Sequence, residues 1–238
     1  MKNVLRAIVL VMTLPFASAA HAEIRCGMLA GKTVRVDSSY LFFPLVYEGV
    51  DYWGPEASKQ HATKGCSDKL RSFTVAVDWP SLKPSGRLNH FTAPNARRIG
   101  ITYDANYSDN PIAAMRWTLS RQLSKSLDEV TTELSVESMR KMSTYDSDLG
   151  MWVFKPRPPS EHVDSYIFWT LDDAGRAVSS KTECSRSTVK SWCEARYYEP
   201  ITNVWTSIDF TGQWVQVLPE MRQAAQLLFS ELTRSHGE

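Results

Sequence analysis

Cys184–Leu232 reads CSRSTVKSWCEARYYEPITNVWTSIDFTGQWVQVLPEMRQAAQLLFSEL and carries the most regular pattern in the chain. Strand-like runs at 192–198 and 204–210 follow the two cysteines. A helix begins near Leu218, where the next residue is a proline that suits a first turn. Apolar residues then recur at intervals of three and four and form one stripe that predicts packing on a sheet. They are Leu218, Met221, Ala225, Leu228 and Leu232. The segment therefore predicts a stapled strand pair closed by a helix.

Alternating residues predict further strands on either side of this segment. The clearest is Leu70–Trp79, whose apolar side chains occupy every second position from Phe73 onward, as in a strand with one buried face. Shorter candidates lie at 33–36, 99–103 and 151–154. Runs at 165–171 and 176–182 flank the turn residues 172–175 and predict a β-hairpin.

Helical spacing starts at Pro111 and predicts a helix over 112–127. Residues 128–142 carry both helix and strand signals and stay open. The polar stretch 54–64 predicts a loop. Together these elements predict an α+β fold, with mostly antiparallel sheet and the C-terminal amphipathic helix packed on one face.

The N-terminus has the pattern of an export signal. Lys2 and Arg6 precede an apolar run over 7–16, and Ala20-His21-Ala22 is a small-residue cleavage site. We therefore predict a cleaved signal peptide over 1–22 and a periplasmic mature chain over 23–238. That chain forms a single domain or two subdomains, and the proline-rich stretch 155–160 is the candidate boundary.

Four cysteines lie in the mature part, and an even count in an oxidising compartment predicts two disulfides. Four cysteines allow three pairings. We predict Cys26–Cys66 and Cys184–Cys193, because each pair closes a local loop and each half of the chain then holds one pair.

The charge balance argues against nucleic acid as a partner. Without Lys2 and Arg6, the 27 basic residues fall to 25 against 26 acidic ones, a net charge of −1, whereas nucleic-acid-binding proteins usually carry a basic footprint. No glycine-rich nucleotide motif is present. The apolar run over 7–16 is too short to cross a bilayer, and no other segment is long and apolar enough to do so.

Catalytic signatures are absent from the sequence. The mature histidines, His61, His90, His162 and His236, lack metal-ligand spacing, and no G-x-S-x-G motif occurs. Carboxylates gather in sequence at Asp104, Asp109, Asp146 and Asp148, of which 146–148 is better explained as a turn than as a calcium loop. We predict a protein that is not an enzyme and has no cofactor or metal.

One irregular stretch, Tyr40–Trp53, is dense in aromatic residues and broken by Pro44 and Gly49, so it predicts an edge strand leading into a loop. Exposed tyrosine and tryptophan are frequent anchors of protein interfaces. Tyr197 and Tyr198 adjoin in one strand and face opposite ways, so we expect one of them to be exposed. The candidate partner interface comprises Tyr47, Glu48, Asp51, Tyr52, Trp53 and Tyr197.

The order of these features resembles a known family. In order, they are a signal peptide, Cys26-Gly27, the aromatic stretch, Lys64-Gly65-Cys66, the strand to Pro80 and the C-terminal cysteine pair with its helix. This order is similar to that of periplasmic immunity proteins that protect bacteria from type VI secretion effectors, especially lipase-class toxins. The resemblance implies stoichiometric inhibition of a cognate toxin protein. The alternative is a non-catalytic periplasmic accessory or envelope-binding protein, and a third is a periplasmic hydrolase.

Overall fold

The computed structural model describes residues 23–52, 54–85, 97–125, 133–156, 163–187 and 191–234. The signal peptide, Trp53 and most of the stretch 155–160 lie outside these ranges, so the predictions for them stay predictions. The strands are β1 (Ile24–Leu29), β2 (Lys32–Asp37), β3 (Val46–Tyr47), β4 (Leu70–Asp78), β5 (Lys83–Pro84), β6 (Arg98–Ala105), β7 (Thr144–Asp146), β8 (Met151–Phe154), β9 (Val163–Leu171), β10 (Val178–Ser187), β11 (Ser191–Glu199) and β12 (Val204–Thr211). The helices are α1 (Ala57–Ala62), α2 (Pro111–Lys125), α3 (Val136–Lys141) and α4 (Leu218–Leu232), with a 3₁₀ turn over Gly212–Val217 before α4.

Ten strands form one antiparallel sheet in the order β3-β4-β6-β12-β11-β10-β9-β8-β7, with β5 paired to β4 beside this path. β1 and β2 form a separate antiparallel pair. The third and fourth strands of this path, β6 and β12, pair with Ile101 opposite Ile208. The predicted α+β class is confirmed, as is the hairpin that here joins β9 to β10.

Each face of the large sheet has its own hydrophobic core. On the first face, Phe73, Val75 and Val77 of β4 pack with β1, β2 and α4. On the second, Trp169 of β9 packs beneath Leu119 of α2 and Met139 of α3. The alternation of side chains along each strand explains why adjacent residues serve different cores.

Helix α4 closes the first face as its apolar stripe predicts. Met221 and Ala225 are fully buried, and the Tyr103 hydroxyl of β6 donates a hydrogen bond of 2.7 Å to the Ala225 carbonyl. The Tyr103 ring also lies 5.0 Å from the ring of Phe229. The helix is thus fixed across the sheet by packing and by one buried polar contact.

Both predicted disulfides are present, Cys26–Cys66 and Cys184–Cys193. The second joins residues that lie directly opposite each other on β10 and β11. The first holds β1 against the segment that leads into β4. Gly27 is required at this junction, because a Cβ added there would lie only 2.6 Å from Leu70 Cγ.

Two local predictions differ from the structure. The predicted loop 54–64 contains α1, and the prediction was wrong because this six-residue polar helix has no apolar stripe to reveal it. The open region 128–142 contains α3, whose first turn is capped by the Ser135 hydroxyl accepting from the Ser138 N–H. Such a side-chain cap stabilises a helix too short to persist alone.

Candidate functional site

Tyr47 and Tyr197, two of the predicted interface residues, lie inside the protein. Tyr47 is 6% exposed, and its hydroxyl donates a 2.7 Å hydrogen bond to the Cys26 carbonyl. Tyr197 is 1% exposed and lies under α4, with the Arg222 guanidinium 4.4 Å from its ring centre. Burial raises the pKa of the Tyr197 hydroxyl. Neither ring is available to a partner in this structure, because each packs on the first face of the sheet.

Glu48, Asp51 and Tyr52 follow β3 in a surface loop. Gly49 turns this loop with a φ of +72°, a conformation that a residue with a side chain rarely adopts. Glu48 and Asp51 are exposed, and Tyr52 is half-buried. These three therefore lie in one loop, whereas Trp53 falls outside the described residues.

The loop is held from two sides. The Tyr107 hydroxyl donates a 3.0 Å hydrogen bond to Glu48 Oε1, and this tyrosine is 64% exposed. On the other side the ring of His61 in α1 meets Tyr52 edge-on, with the ring centres 5.8 Å apart. Burial lowers the pKa of His61, which favours the neutral ring in this contact. The loop is thus positioned by Tyr107, in the segment after β6, and by α1.

A groove of about 560 Å³ opens between this loop and the end of the sheet. Its first wall is apolar and comes from the irregular stretch that precedes and includes the loop. The residues of this wall are Phe43, Pro44, Val46, Val50 and Tyr52. Phe43 is 46% exposed, so the rim carries an aromatic ring that a partner can cover.

The floor of the groove is polar and belongs to the second face of the sheet. It contains Arg71, Ser72 and Thr74 of β4 and Asp104 of β6. Asp104 lies directly opposite Ser72, and the Thr74 and Thr102 hydroxyls are 2.9 Å apart. Helices α2 and α3 cover the part of this face that holds the second core.

Two arginines act electrostatically on the Asp104 carboxyl. Burial raises its pKa, and the positive charges of Arg196 and Arg71 act in the opposite direction. The Arg196 guanidinium lies 5.2 Å from the ring centre of Trp205, and Trp205 is the residue directly opposite Asp104 in the pairing of β6 with β12. Arg71 is exposed and points toward the groove.

Arg71 and Tyr107 were not predicted as site residues, and Asp104 was noted only within a group of carboxylates close in sequence. The structure separates that group, since Asp104 lies on β6 and Asp146 lies on β7 at the opposite edge of the sheet. Asp146 Oδ1 accepts from the N–H groups of Asp148 and Leu149, each at 3.0 Å, which is turn geometry. A single exposed arginine on a strand carries no sequence signal of its own.

A second groove, of about 310 Å³, lies on the first face beside the Cys184–Cys193 bridge. Its apolar residues include Leu149, Tyr166 and Phe168. The Lys155 amine lies 5.3 Å from the Tyr166 ring centre. This groove shares no residue with the predicted interface.

The described part of the chain holds no group of three or more histidine, cysteine or carboxylate side chains arranged to bind a metal ion. Within the same ranges, no helix has both the length and the apolar character needed to cross a bilayer. His61 is the one mature histidine that these ranges include, and it packs against tyrosines.

Comparison with known proteins yields no matching protein family and no characterised relative of similar sequence. Among solved structures, the chain is similar to Smlt3025, an immunity protein of the Stenotrophomonas maltophilia type IV secretion system. The TM-score is 0.51 and the identity 19%, over 90% of this chain and 94% of that one. The iron-regulated outer membrane lipoprotein FrpD of Neisseria meningitidis matches with a TM-score of 0.39 and 7% identity, over 90% and 93% of the two chains. The first similarity shows a shared fold, and the second is too distant to support an argument.

Proposed function

We propose that this protein is an immunity protein that binds and neutralises a toxin delivered by a bacterial secretion system. The observation that carries the proposal is the fold shared with an immunity protein along almost the full length of both chains. The order of sequence features, which resembles immunity proteins, supports it independently.

The finer assignment concerns the toxin. The sequence resemblance points to a type VI effector of the lipase class, whereas the solved structure of similar fold serves a type IV system. We propose the type VI lipase as the cognate toxin and treat delivery by a type IV system as the outcome that would correct it.

Neutralisation is by stoichiometric binding, with no chemical step. The proposed interface is the loop Glu48–Tyr52, with the groove beneath it and Tyr107 beside it. A hydrogen bond from Tyr107 and packing from α1 fix this loop before binding, which limits the conformational entropy lost when a partner is bound. When the toxin binds this surface, the immunity protein would cover the toxin's active site or its membrane-docking face.

The proposed location is the periplasm, after removal of residues 1–22. The two disulfides support an oxidising compartment. A toxin that acts in the periplasm would meet its inhibitor there, so the protein must be exported to protect the cell.

Co-expression tests the function. Effector candidates encoded beside this gene are directed to the periplasm, with and without the full-length protein, and viability and co-purification are measured. We expect rescue and a one-to-one complex with one candidate. A matched control lacks residues 2–22 and keeps the mature chain in the cytoplasm, where we expect no rescue.

Two outcomes contradict the proposal. If no candidate is neutralised or co-purified, the immunity role is wrong for these toxins. If the control without residues 2–22 protects as well as the exported protein, the periplasmic location is wrong even though the immunity role stands.

A further inference from the structure

Arg71 is the one basic side chain among the described residues that line the groove. Its guanidinium is exposed at the floor and forms no hydrogen bond or close ion pair with another described residue. A guanidinium carries five N–H donors in a planar fork that matches a carboxylate at two points. Arg71 therefore has unused capacity to bind an anionic group that enters the groove.

Asp104 lines the same floor as Arg71. The two side chains attract each other, Arg196 of β11 attracts the same carboxyl, and Glu194 repels it. Asp104 thus attracts Arg71 without a close ion pair, so the N–H donors of Arg71 remain available to a carboxylate that enters the groove.

The other carboxylate of the groove, Asp51, belongs to the loop rather than to the floor. Its Oδ2 lies against Gly54, so close that a Cβ added to Gly54 would lie 2.8 Å away. The Asp51 carboxylate is thus oriented toward its own loop. Its negative charge at the mouth of the groove repels acidic groups, which disfavours partners that present several acidic residues in a row.

The apolar wall determines what can accompany the acidic group. Phe43 and Tyr52 offer ring surface above the floor, and Pro44 and Val50 continue it. A partner loop that packs on this wall would exclude water from the Arg71 guanidinium and strengthen its bond to a carboxylate. Arginine in such a water-excluded setting is a frequent energetic centre of protein interfaces.

We propose that the groove receives a single acidic side chain, aspartate or glutamate, from an apolar loop of the toxin, and that Arg71 binds its carboxylate through two N–H groups. The proposal rests on the immunity function proposed above and names the chemistry of its interface. Asp104 is a positioning residue that directs Arg71, and the wall of Phe43 and Tyr52 binds the apolar neighbours of the acidic residue.

The test measures the affinity of the purified, catalytically inactivated toxin from the co-expression experiment by titration calorimetry. Arg71→Ala should weaken binding by about 30-fold or more, the loss typical of an interface hot spot. Arg71→Lys keeps the positive charge but loses the planar guanidinium that contacts a carboxylate at two points, and should weaken binding by about 10-fold. Asp104→Asn should weaken it by less than Arg71→Ala.

The matched control is Arg176→Ala. Arg176 is also exposed, but it lies in the turn between β9 and β10, several strands away from β4 in the sheet order. Binding by this variant should stay within about twofold of wild type, as for a charge outside the interface. Circular dichroism melting curves establish that each variant is folded.

A charge exchange identifies the partner group. Arg71→Glu should abolish binding, and replacement of one toxin Asp or Glu by Arg should restore it. Equal affinity of wild type and Arg71→Ala would overturn the inference and leave the immunity role intact. Tighter binding by Arg71→Ala together with loss in Asp104→Asn would also overturn it, because the groove would then bind a cation. If wild type binds no candidate toxin, the immunity function itself fails.

Discussion

Asp209 of β12 should make the stability of this protein fall as the pH rises. Its side chain lies directly opposite Glu194 of β11, and like charges in that relation destabilise a sheet. On the other side its neighbour in register is Gly100, which has no side chain to bind it. Burial, and then the charge of Glu194, raise the pKa of Asp209 from the usual 3.8 to about 7.

The direction of this pH dependence follows from proton binding. The folded state holds the proton more tightly than the unfolded state does, so this contribution is fully present below about pH 4 and is lost as the pH rises to about 7. A difference of about three pH units corresponds to about 4 kcal/mol at most. Because the side chain keeps partial contact with solvent, we expect a loss of about 2–4 kcal/mol.

Asp209→Asn replaces the protonated acid with a neutral group of similar shape. In urea unfolding, the variant should match wild type within about 1 kcal/mol at pH 4 and exceed it by about 2–4 kcal/mol at pH 8. Glu194→Gln should give part of the same gain, since it removes the like charge. Asp173→Asn, in the exposed hairpin turn, is the control and should change neither value. A difference between Asp209→Asn and wild type that stays constant from pH 4 to pH 8 would refute this reasoning.

Two further predictions concern the two disulfides and the junction of β1 with β4. Cys26→Ser with Cys66→Ser should cost about 4 kcal/mol of unfolding free energy, and Cys184→Ser with Cys193→Ser about 2–3 kcal/mol, because the first bridge closes the longer loop. Thermal melting under oxidising conditions measures both losses. An unchanged melting temperature for either double variant would contradict the stabilising role of that disulfide. Gly27→Ala should destabilise the folded protein by about 1–3 kcal/mol, since the added methyl overlaps Leu70. Gly65→Ala is the control, because its added methyl meets no atom within 4 Å. Equal stability of the two variants would show that Leu70 moves aside freely.

The regular elements could be predicted because their signals are local. The alternation in Leu70–Asp78 and the stripe of α4 reflect a single buried face, and such a face imposes its period on the sequence. The two cysteine pairs were predictable for a similar reason, because each bridge closes a short loop. Helix α1 escaped prediction because its six residues, Ala57–Ala62, carry no apolar stripe that would reveal a helix.

The candidate site could be predicted only in part. The loop residues Glu48, Asp51 and Tyr52 were identified by the density of aromatic residues around them, and that criterion also selected Tyr47. Tyr197 was selected because it adjoins Tyr198 in one strand. The core requires both Tyr47 and Tyr197. Arg71, Asp104 and Tyr107 come from β4, β6 and the segment after β6. Their meeting depends on the order of strands in the sheet, and no spacing in the sequence expresses that order.

The pairing of β6 with β12 also affects how the chain can fold. Ile101 and Ile208 lie opposite each other in this pairing, so β6 has no strand neighbour on that side until β12 is available, much later in the chain. Pairing at such large sequence separation is slow, because the entropy of closing a long loop is lost before the contacts form. We expect the chain to expose β6 to aggregation during this interval, and any truncation that removes β12 to divide the sheet between β6 and β11 rather than to trim its edge.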